Sequence, residues 1–518
     1  MMSVSFASVL LMPALFLMSN FGLHIPNPAP ADPAADEARF NSVNEQLDMG
    51  GTVYAYVSVD GDLSAIGSFV ESKLNQIRQL DERAKIPPVD IPQLLTVSGL
   101  DAVSAMGISS KRTAEGGFRN KAYIYAPNTR QGFLRILGDE SKPFDVVNMA
   151  PAGTDVAIEQ DVNLKVAYEV AEEVMGMLNG DQGKAMLQAM VKRPAGPFPF
   201  TLEKILADLD TQVTIILDAD PSWTVNLPGT KIAEIPQLNL AITVDGLGWV
   251  VEEMANTVET KFQEKGGRDK PPVAIVRGSD WAGLRIEELP GGRNRNVAWI
   301  QLLSTIGGSK PVFLHHKPTG KMVLATGKEF AAKLFQNKPN LASDPVYHKT
   351  MDGLPTEGTS LAYVSPELFK MFRETFSKIT ADERIRGKEM FMIKTMLDLI
   401  FPEGLQGEGS VTTSTKEGIL TVSNSSSSHK SKLAGPLTTG LPFILMMSKP
   451  TRVYDHYREP HVHEGHSHGH EDHHDHDHEH EHDHAEGHKH DKHGADHGHG
   501  ASRESRGTEA SVEKRREK

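Results

Sequence analysis

The chain of 518 residues contains no cysteine. That absence excludes disulfides, thiolate zinc sites, iron–sulfur clusters, cysteine nucleophiles and the lipid-modified cysteine of a lipoprotein, and it leaves burial alone to hold the fold together. It is also compatible with an oxidising compartment, where a stray thiol is a liability. Basic charge is in short supply: 54 Lys and Arg face 68 Asp and Glu, a formal net charge of -14, which argues against a nucleic-acid partner gripped by a basic surface. The signatures of nucleotide and hydrolase chemistry are missing too. There is no G-x-x-x-x-G-K-[ST], no G-x-G-x-x-G after a strand and no G-x-S-x-G elbow. Gly404-Leu405-Gln406-Gly407-Glu408-Gly409 is glycine-rich but leads into a strand, so it offers no helix N-terminus to a phosphate and reads as a turn. The apolar run Gly440 to Met447 is eight residues long, contains Pro442 and is too short to span a bilayer.

What is present is a globular composition: 39% hydrophobic and 24% charged residues exclude a collagen-like or wholly disordered chain. Single cores stop growing at roughly 250 to 300 residues, so the length points to roughly two to four domains' worth of structure. Negative charge is concentrated at one end. His456 to Lys518 holds 9 basic and 16 acidic residues, net -7, which equals the excess on all 455 residues before it.

Met1 to Ala31 carries no charged residue, and Val4 to Phe21 is mostly Val, Leu, Met, Phe, Ala and Ser, as in the apolar region of a secretory signal. Ala29-Pro30-Ala31 supplies an A-x-A-like cleavage site before Asp32, and a Pro/Ala linker over 32–40 follows. A positive n-region is missing. The segment 1–31 therefore reads as a cleaved signal peptide, as an uncleaved anchor, since about 18 to 20 apolar residues span a bilayer, or as a buried N-terminal helix. The first two readings place the protein in the bacterial periplasm or outside the cell, the second with membrane attachment.

Hydrophobic periodicity alternates between 2 and 3.6, and one unit recurs. Gly51-Thr52-Val53-Tyr54-Ala55-Tyr56-Val57-Ser58 and Gly358-Thr359-Ser360-Leu361-Ala362-Tyr363-Val364-Ser365 agree at six of eight positions. Each precedes an amphipathic helix, carried by Ile66, Phe69, Val70, Leu74 and Ile77 in the first and by Leu368, Met371, Phe372, Phe376 and Ile379 in the second. Gly99-Leu100 with Ser109-Ser110-Lys111 then reappears as Gly404-Leu405 with Ser414-Thr415-Lys416, each leading into a hairpin. A weaker third copy begins at Gly153-Thr154-Asp155-Val156-Ala157-Ile158, with a helix over 164–178 and strands over 213–219 and 238–244. Further strands are expected at 273–276, 297–302, 311–315 and 321–326, and a short helix at 328–335. The pattern predicts an α+β fold of duplicated strand–helix–hairpin units, with mostly antiparallel sheets packed by amphipathic helices. The units divide into one α+β lobe over 41–245 and a second over 246–449.

The Ala-Tyr-Val-Ser-like strand, together with Met322-Val323-Leu324-Ala325-Thr326 running directly into a helix, resembles a class of uncharacterised, secreted bacterial proteins built from a repeated domain of unknown function. The resemblance spans 41–449 and brings no activity and no catalytic residues with it.

The strongest chemical signal is the segment 450–518. Between His456 and His499 lie 18 of the chain's 23 histidines, interleaved with 12 Asp or Glu, and the lack of apolar residues predicts disorder. The candidate metal ligands are His461, His463, His466, His468, His470, His473, His474, His476, His478, His480, His482, His484, His488, His490, His493, His497 and His499. From His474 to His484 every second residue is histidine, so neighbouring imidazoles on a flexible chain can close on one ion. Neutral imidazole with carboxylate suits Zn, Ni and Cu(II), with no cofactor required and divalent ions as the expected partners. Three stretches match H-E-x-x-H: His470 to His474, His478 to His482 and His480 to His484. Alternating His with Glu generates this match, and without a helix held by a core it carries no protease chemistry.

Other residues read as structural. His315-His316 ends a strand before the turn Lys317-Pro318-Thr319-Gly320, His348 and His429 stand alone, and core packing is the default for Trp223, Trp249, Trp281 and Trp299. Carboxylate pairs such as Asp208 with Asp210 and Glu287 with Glu288 read as solvated surface. The sequence therefore points to an exported, non-catalytic binding or structural protein, and the competing class is an exported hydrolase whose site leaves no trace in one sequence.

Overall fold

In a computed structural model the chain is an α+β protein. The structure describes residues 32–431 apart from 60, 81–88, 129, 197, 208–209, 226–234, 265–272, 288–297, 337–338 and 381–403. Met1–Lys449 form one unit and Pro450–Lys518 a second. The second, like the apolar segment 1–31 and the run 440–447, lies outside the described residues.

Helix α1 (Pro33–Asn44) precedes a first run of strand, helices and hairpin: β1 (Val53–Ser58), α2 (Asp62–Leu80), α3 (Ile91–Ser98), β2 (Ala105–Arg112) and β3 (Phe118–Tyr125). The short α4 (Phe133–Ile136), β4 (Lys142–Pro143) and α5 (Val146–Met149) lead to a second: β5 (Val156–Asn163), α6 (Leu164–Val191), α7 (Leu202–Ala207), β6 (Asp210–Val225) and β7 (Ile235–Val244). After α8 (Gly248–Glu264) and β8 (Val273–Arg277) comes a third: β9 (Trp281–Ile286), α9 (Ala298–Ile306), β10 (Val312–His316) and β11 (Lys321–Ala325). Then α10 (Lys328–Lys333), α11 (Pro345–Thr350) and β12 (Glu357–Gly358) precede the last: β13 (Ser360–Val364), α12 (Pro366–Thr380), β14 (Glu408–Ser414) and β15 (Gly418–Ser425).

Thirteen strands form one antiparallel sheet in the order β1-β2-β3-β15-β14-β13-β5-β6-β7-β11-β10-β9-β8, while β4 pairs with β12. Every run is a meander, and meanders meet like to like. Third strands pair with third strands, β3 with β15 and β7 with β11, and first with first, β13 with β5. The last meander stands between the first and second, so strands from 41–245 and 246–449 share this sheet and the boundary at 245 does not divide it.

Strand alternation sends successive side chains to opposite faces. On one face Val57, Met106 and Ile124 pack with Leu63 of α2 and Leu134 of α4, and Val244 and Met322 pack with Val250 of α8. On the other, Val43 of α1 meets Tyr123, and Val146 of α5, Phe330 of α10 and Tyr347 of α11 close over Leu314, Val323 and Leu361.

Several expectations are corrected. The segment 32–40, expected as a linker, begins α1: Asp32 caps it by accepting from Ala34 N at 3.0 Å, and Pro33 occupies the first turn, where its missing N–H costs nothing. The strand expected at 297–302 is α9, because Trp299, Leu302, Leu303 and Ile306 recur at helical spacing. Strand β9 escaped notice because Gly283 interrupts its alternation. The helix expected at 164–178 is present and is broken at Gly180, and a second helix within α6 then folds back along it to Val191, with Lys184 Nζ 2.9 Å from Glu173 Oε1. Among the described residues no helix is long and apolar enough to cross a membrane.

The repeated motif is structural in part. β1 and β13 both open their meanders, yet Tyr54 faces Ser109 whereas its counterpart Leu361 faces Val411 rather than Ser414, so the hairpins are paired in different register. The repeated Gly-Leu keeps its backbone: Gly99 and Gly404 have φ of 75° and 74°, the left-handed region that other residues avoid. Their surroundings differ, since a Cβ on Gly99 would lie 2.0 Å from the carbonyl oxygen of Gln131 while one on Gly404 would meet nothing within 4 Å. Gly99→Ala is therefore expected to cost roughly 3 kcal/mol and Gly404→Ala about 1 kcal/mol. Urea unfolding of the two variants checks the difference, and equal losses would refute the contact.

Candidate functional site

The most unusual electrostatics lie at the centre of the sheet. Strand register sets Leu361 opposite Glu159, Glu159 opposite Thr214, Thr214 opposite Thr243 and Thr243 opposite Val323, on one face and all at most 1% exposed. A carboxyl thus sits in a fully buried row between Leu361 and Thr214, in phase with Ala157 on β5. The start of α5 lies across it. Glu159 accepts from Val146 N at 2.6 Å through Oε2 and from Asp145 N at 3.2 Å through Oε1, which satisfies two of the donors that a helix start leaves open. Burial pushes the Glu159 carboxyl up to about 7, outweighing the two N–H donors and the attraction of Lys321.

Lys321, 8% exposed at the start of β11, donates to Asp245 Oδ1 at 2.5 Å and to Asp145 Oδ2 at 3.3 Å. Thr211 Oγ1 donates to the Asp245 carbonyl at 2.8 Å. Tyr347 closes the group, its hydroxyl pushed up to about 12 by burial and then by the Glu159 charge. Thr214 Oγ1 and Thr243 Oγ1 are buried and have no hydrogen-bond partner among the described residues. A carboxyl near neutrality beside hydroxyls is the raw material of acid–base chemistry, but a reaction also needs an approach for substrate. At 1% exposure Glu159 has none, so the cluster locks β5, β6, β7 and β11 to α5 rather than forming an active site.

His461, His463, His466, His468, His470, His473, His474, His476, His478, His480, His482, His484, His488, His490, His493, His497 and His499 all lie outside the described residues. Among the described residues no three His, Asp or Glu are grouped to hold a metal ion. The adjacent His315 and His316 are directed to opposite faces of β10. His315 Nδ1 lies 3.2 Å from Glu252 Oε2 on α8, whereas His316 stacks on Phe335 at 3.8 Å with Nδ1 2.8 Å from Thr319 Oγ1. Burial holds His316 below the usual imidazole range. His348 Nε2 meets the Ala342 carbonyl and His429 Nε2 the Lys121 carbonyl. The chain matches no family model, no curated protein and no solved structure.

Of the tryptophans, Trp249 packs edge-on to Phe200 and Trp281 to Phe335, as expected for core residues, but Trp223 is 66% exposed. It stands in the irregular stretch of β6 between Asp220 and Thr224, where the register with β7 shifts and the alternation that would bury it is broken. Glu287, expected as open surface, bridges Arg285 and Lys310, which hold its carboxyl below the usual range.

Proposed function

We propose that the protein is an exported, non-catalytic binding or structural protein whose histidine-rich C-terminal segment chelates divalent metal ions. One observation carries the reading: 18 histidines and 12 carboxylates between His456 and His499, with no cysteine in the chain to compete for the metal. Imidazole and carboxylate donors select Zn, Ni and Cu(II), and the ordinary affinity order favours copper where copper is available. Spacing without one fixed register gives several overlapping sites and no single geometry. The folded body fits this reading because its most perturbed carboxyl is sealed.

Metal binding requires neutral imidazole, and a free histidine titrates near pH 6.5, so at pH 5.5 only about one tenth of the ligands remain competent. Over the same range His456 to Lys518 moves from -7 toward +11, counting 18 protonated histidines with carboxylates ionised, and begins to repel cations. Titration calorimetry with Zn is expected to show several ions bound by the full chain at pH 7.5, and affinity at least about tenfold weaker at pH 5.5. A full-length variant with His461 to His499 replaced by asparagine should lose this binding. Equal binding by both chains would overturn the proposal, and unchanged affinity at the lower pH would exclude imidazole as the ligand.

A further inference from the structure

Where β3 of the first meander meets β15 of the last, an open groove of about 520 Å³ lies on the face covered by α1 and the 351–355 turn. Register places Lys121 opposite Val422 and Arg119 opposite Asn424, so two cations of β3 stand beside the apolar side chains Leu420 and Val422 of β15. Asp48, Leu354 and Pro355 also line the groove. The volume is in the range of small-molecule sites.

The two cations are not equivalent. Lys121 Nζ is 2.9 Å from Asp48 Oδ1, which neutralises it. Arg119 donates from Nε to Asn424 Oδ1 at 3.2 Å and from Nη2 to the Asp352 carbonyl at 2.5 Å, both neutral acceptors. Among the described residues its Nη1 makes no hydrogen bond and no carboxylate lies within ion-pair distance of it. Asn424 Nδ2 donates to the Thr350 and Asp352 carbonyls, so the guanidinium is fixed against a fixed turn rather than swinging in solvent. Gly353, at φ 65°, lets the turn pack directly against this end of the guanidinium: a Cβ there would lie 2.6 Å from both Nη1 and Nη2.

We infer that this groove binds a small organic acid with an apolar body, its carboxylate held by Arg119 and its hydrocarbon lying on Leu420, Val422 and Pro355. A guanidinium with one unused donor matches a carboxylate. One uncompensated cation over an apolar floor suits a single carboxylate better than a polyphosphate, which needs several donors, and it repels metal ions. The inference concerns the folded body alone; its test leaves His461 to His499 in place, so it stands or falls separately from metal chelation.

Octanoate and octanol, which share a chain and differ in charge, are the probes for calorimetry on the full-length protein. Octanoate is expected to bind with a Kd below about 1 mM and octanol at least about tenfold more weakly. Arg119→Met, which keeps an unbranched apolar stem without the guanidinium and its charge, should weaken octanoate about tenfold or more and leave octanol unchanged. Because Arg119 also fastens the 351–355 turn, Asp48→Asn supplies a second arm: it frees Lys121 beside the groove and should tighten octanoate about threefold or more. Octanoate without binding at about 10 mM, octanol binding equally well, or no tightening in Asp48→Asn would each overturn the inference.

Discussion

Replacing Glu159 with glutamine is expected to change the pH dependence of stability by roughly 3 kcal/mol, in favour of the variant as pH rises. In the unfolded chain this carboxyl loses its proton near 4.5, and in the folded protein near 7. Between those values the folded state still holds a proton that the unfolded state has released, so stability falls as pH rises through this window. The favourable protonated form is fully present below about 4.5, and the loss is complete above about 7. Glutamine does not titrate. Other shifted groups, such as the half-buried Asp218 and the buried His316, are common to both proteins and cancel in the difference. Urea unfolding at pH 4.5 and pH 8 measures it, and a stability difference that stays constant across that range would show that Glu159 ionises as readily inside the sheet as outside it.

The second large effect is expected at Asp155, 7% exposed, at the junction of three strands. Its Oδ1 accepts from Ser365 Oγ at 2.5 Å and its Oδ2 from Ala219 N at 2.9 Å, while its backbone joins Leu217 and the Ser365 N–H. Ser365 Oγ in turn accepts from Leu368 N at 3.0 Å and caps α12. One carboxylate therefore ties the edge of β6, the entry to β5, the exit of β13 and a helix start. Asp155→Ala strands two buried donors and should cost roughly 3 to 5 kcal/mol, whereas Ser365→Ala removes the bond to Asp155 and the α12 cap but leaves the carboxylate on Ala219 N, and should cost about 2 kcal/mol. Comparable losses for the two substitutions, or a loss below about 1 kcal/mol for Asp155→Ala, would refute this account.

Both residues were in plain view in the sequence. Asp155 lies in the Gly153-Thr154-Asp155 start of a repeat and Ser365 closes the Gly358 to Ser365 motif, so the repeat was legible while the contact across 210 residues was not. Local patterning reports which face a side chain takes and says nothing of which strand comes to lie beside it. Glu159 carried a usable signal, since it falls in phase with the inward Ala157, and an inward carboxylate in a strand needs a partner. The alternation along β10 also separates His315 from His316 on sequence alone. Misreading α9 as a strand follows from the ambiguity of a short apolar run, which periodicity alone does not resolve. The groove at Arg119 depends on the joining of β3 to β15, a pairing between distant segments, and so had no local trace.

The position of the last meander sets the order in which the sheet is completed. β3 has no outer neighbour until β15 is made, because Phe118 waits for Ser425, and β5 has none on that side until β13 arrives, because Ala157 waits for Tyr363. A growing chain can pair β1 to β3, and separately β5 to β7, but both part-sheets then present a bare row of peptide groups, the surface on which unfinished chains stick to one another. Synthesis must proceed past residue 425 before a three-stranded wedge enters between them and covers both rows. Commitment to the native topology therefore comes late, with long-range pairing that is intrinsically slow, and the interval before it is the period in which a holding factor or an unfolded waiting state has most to offer.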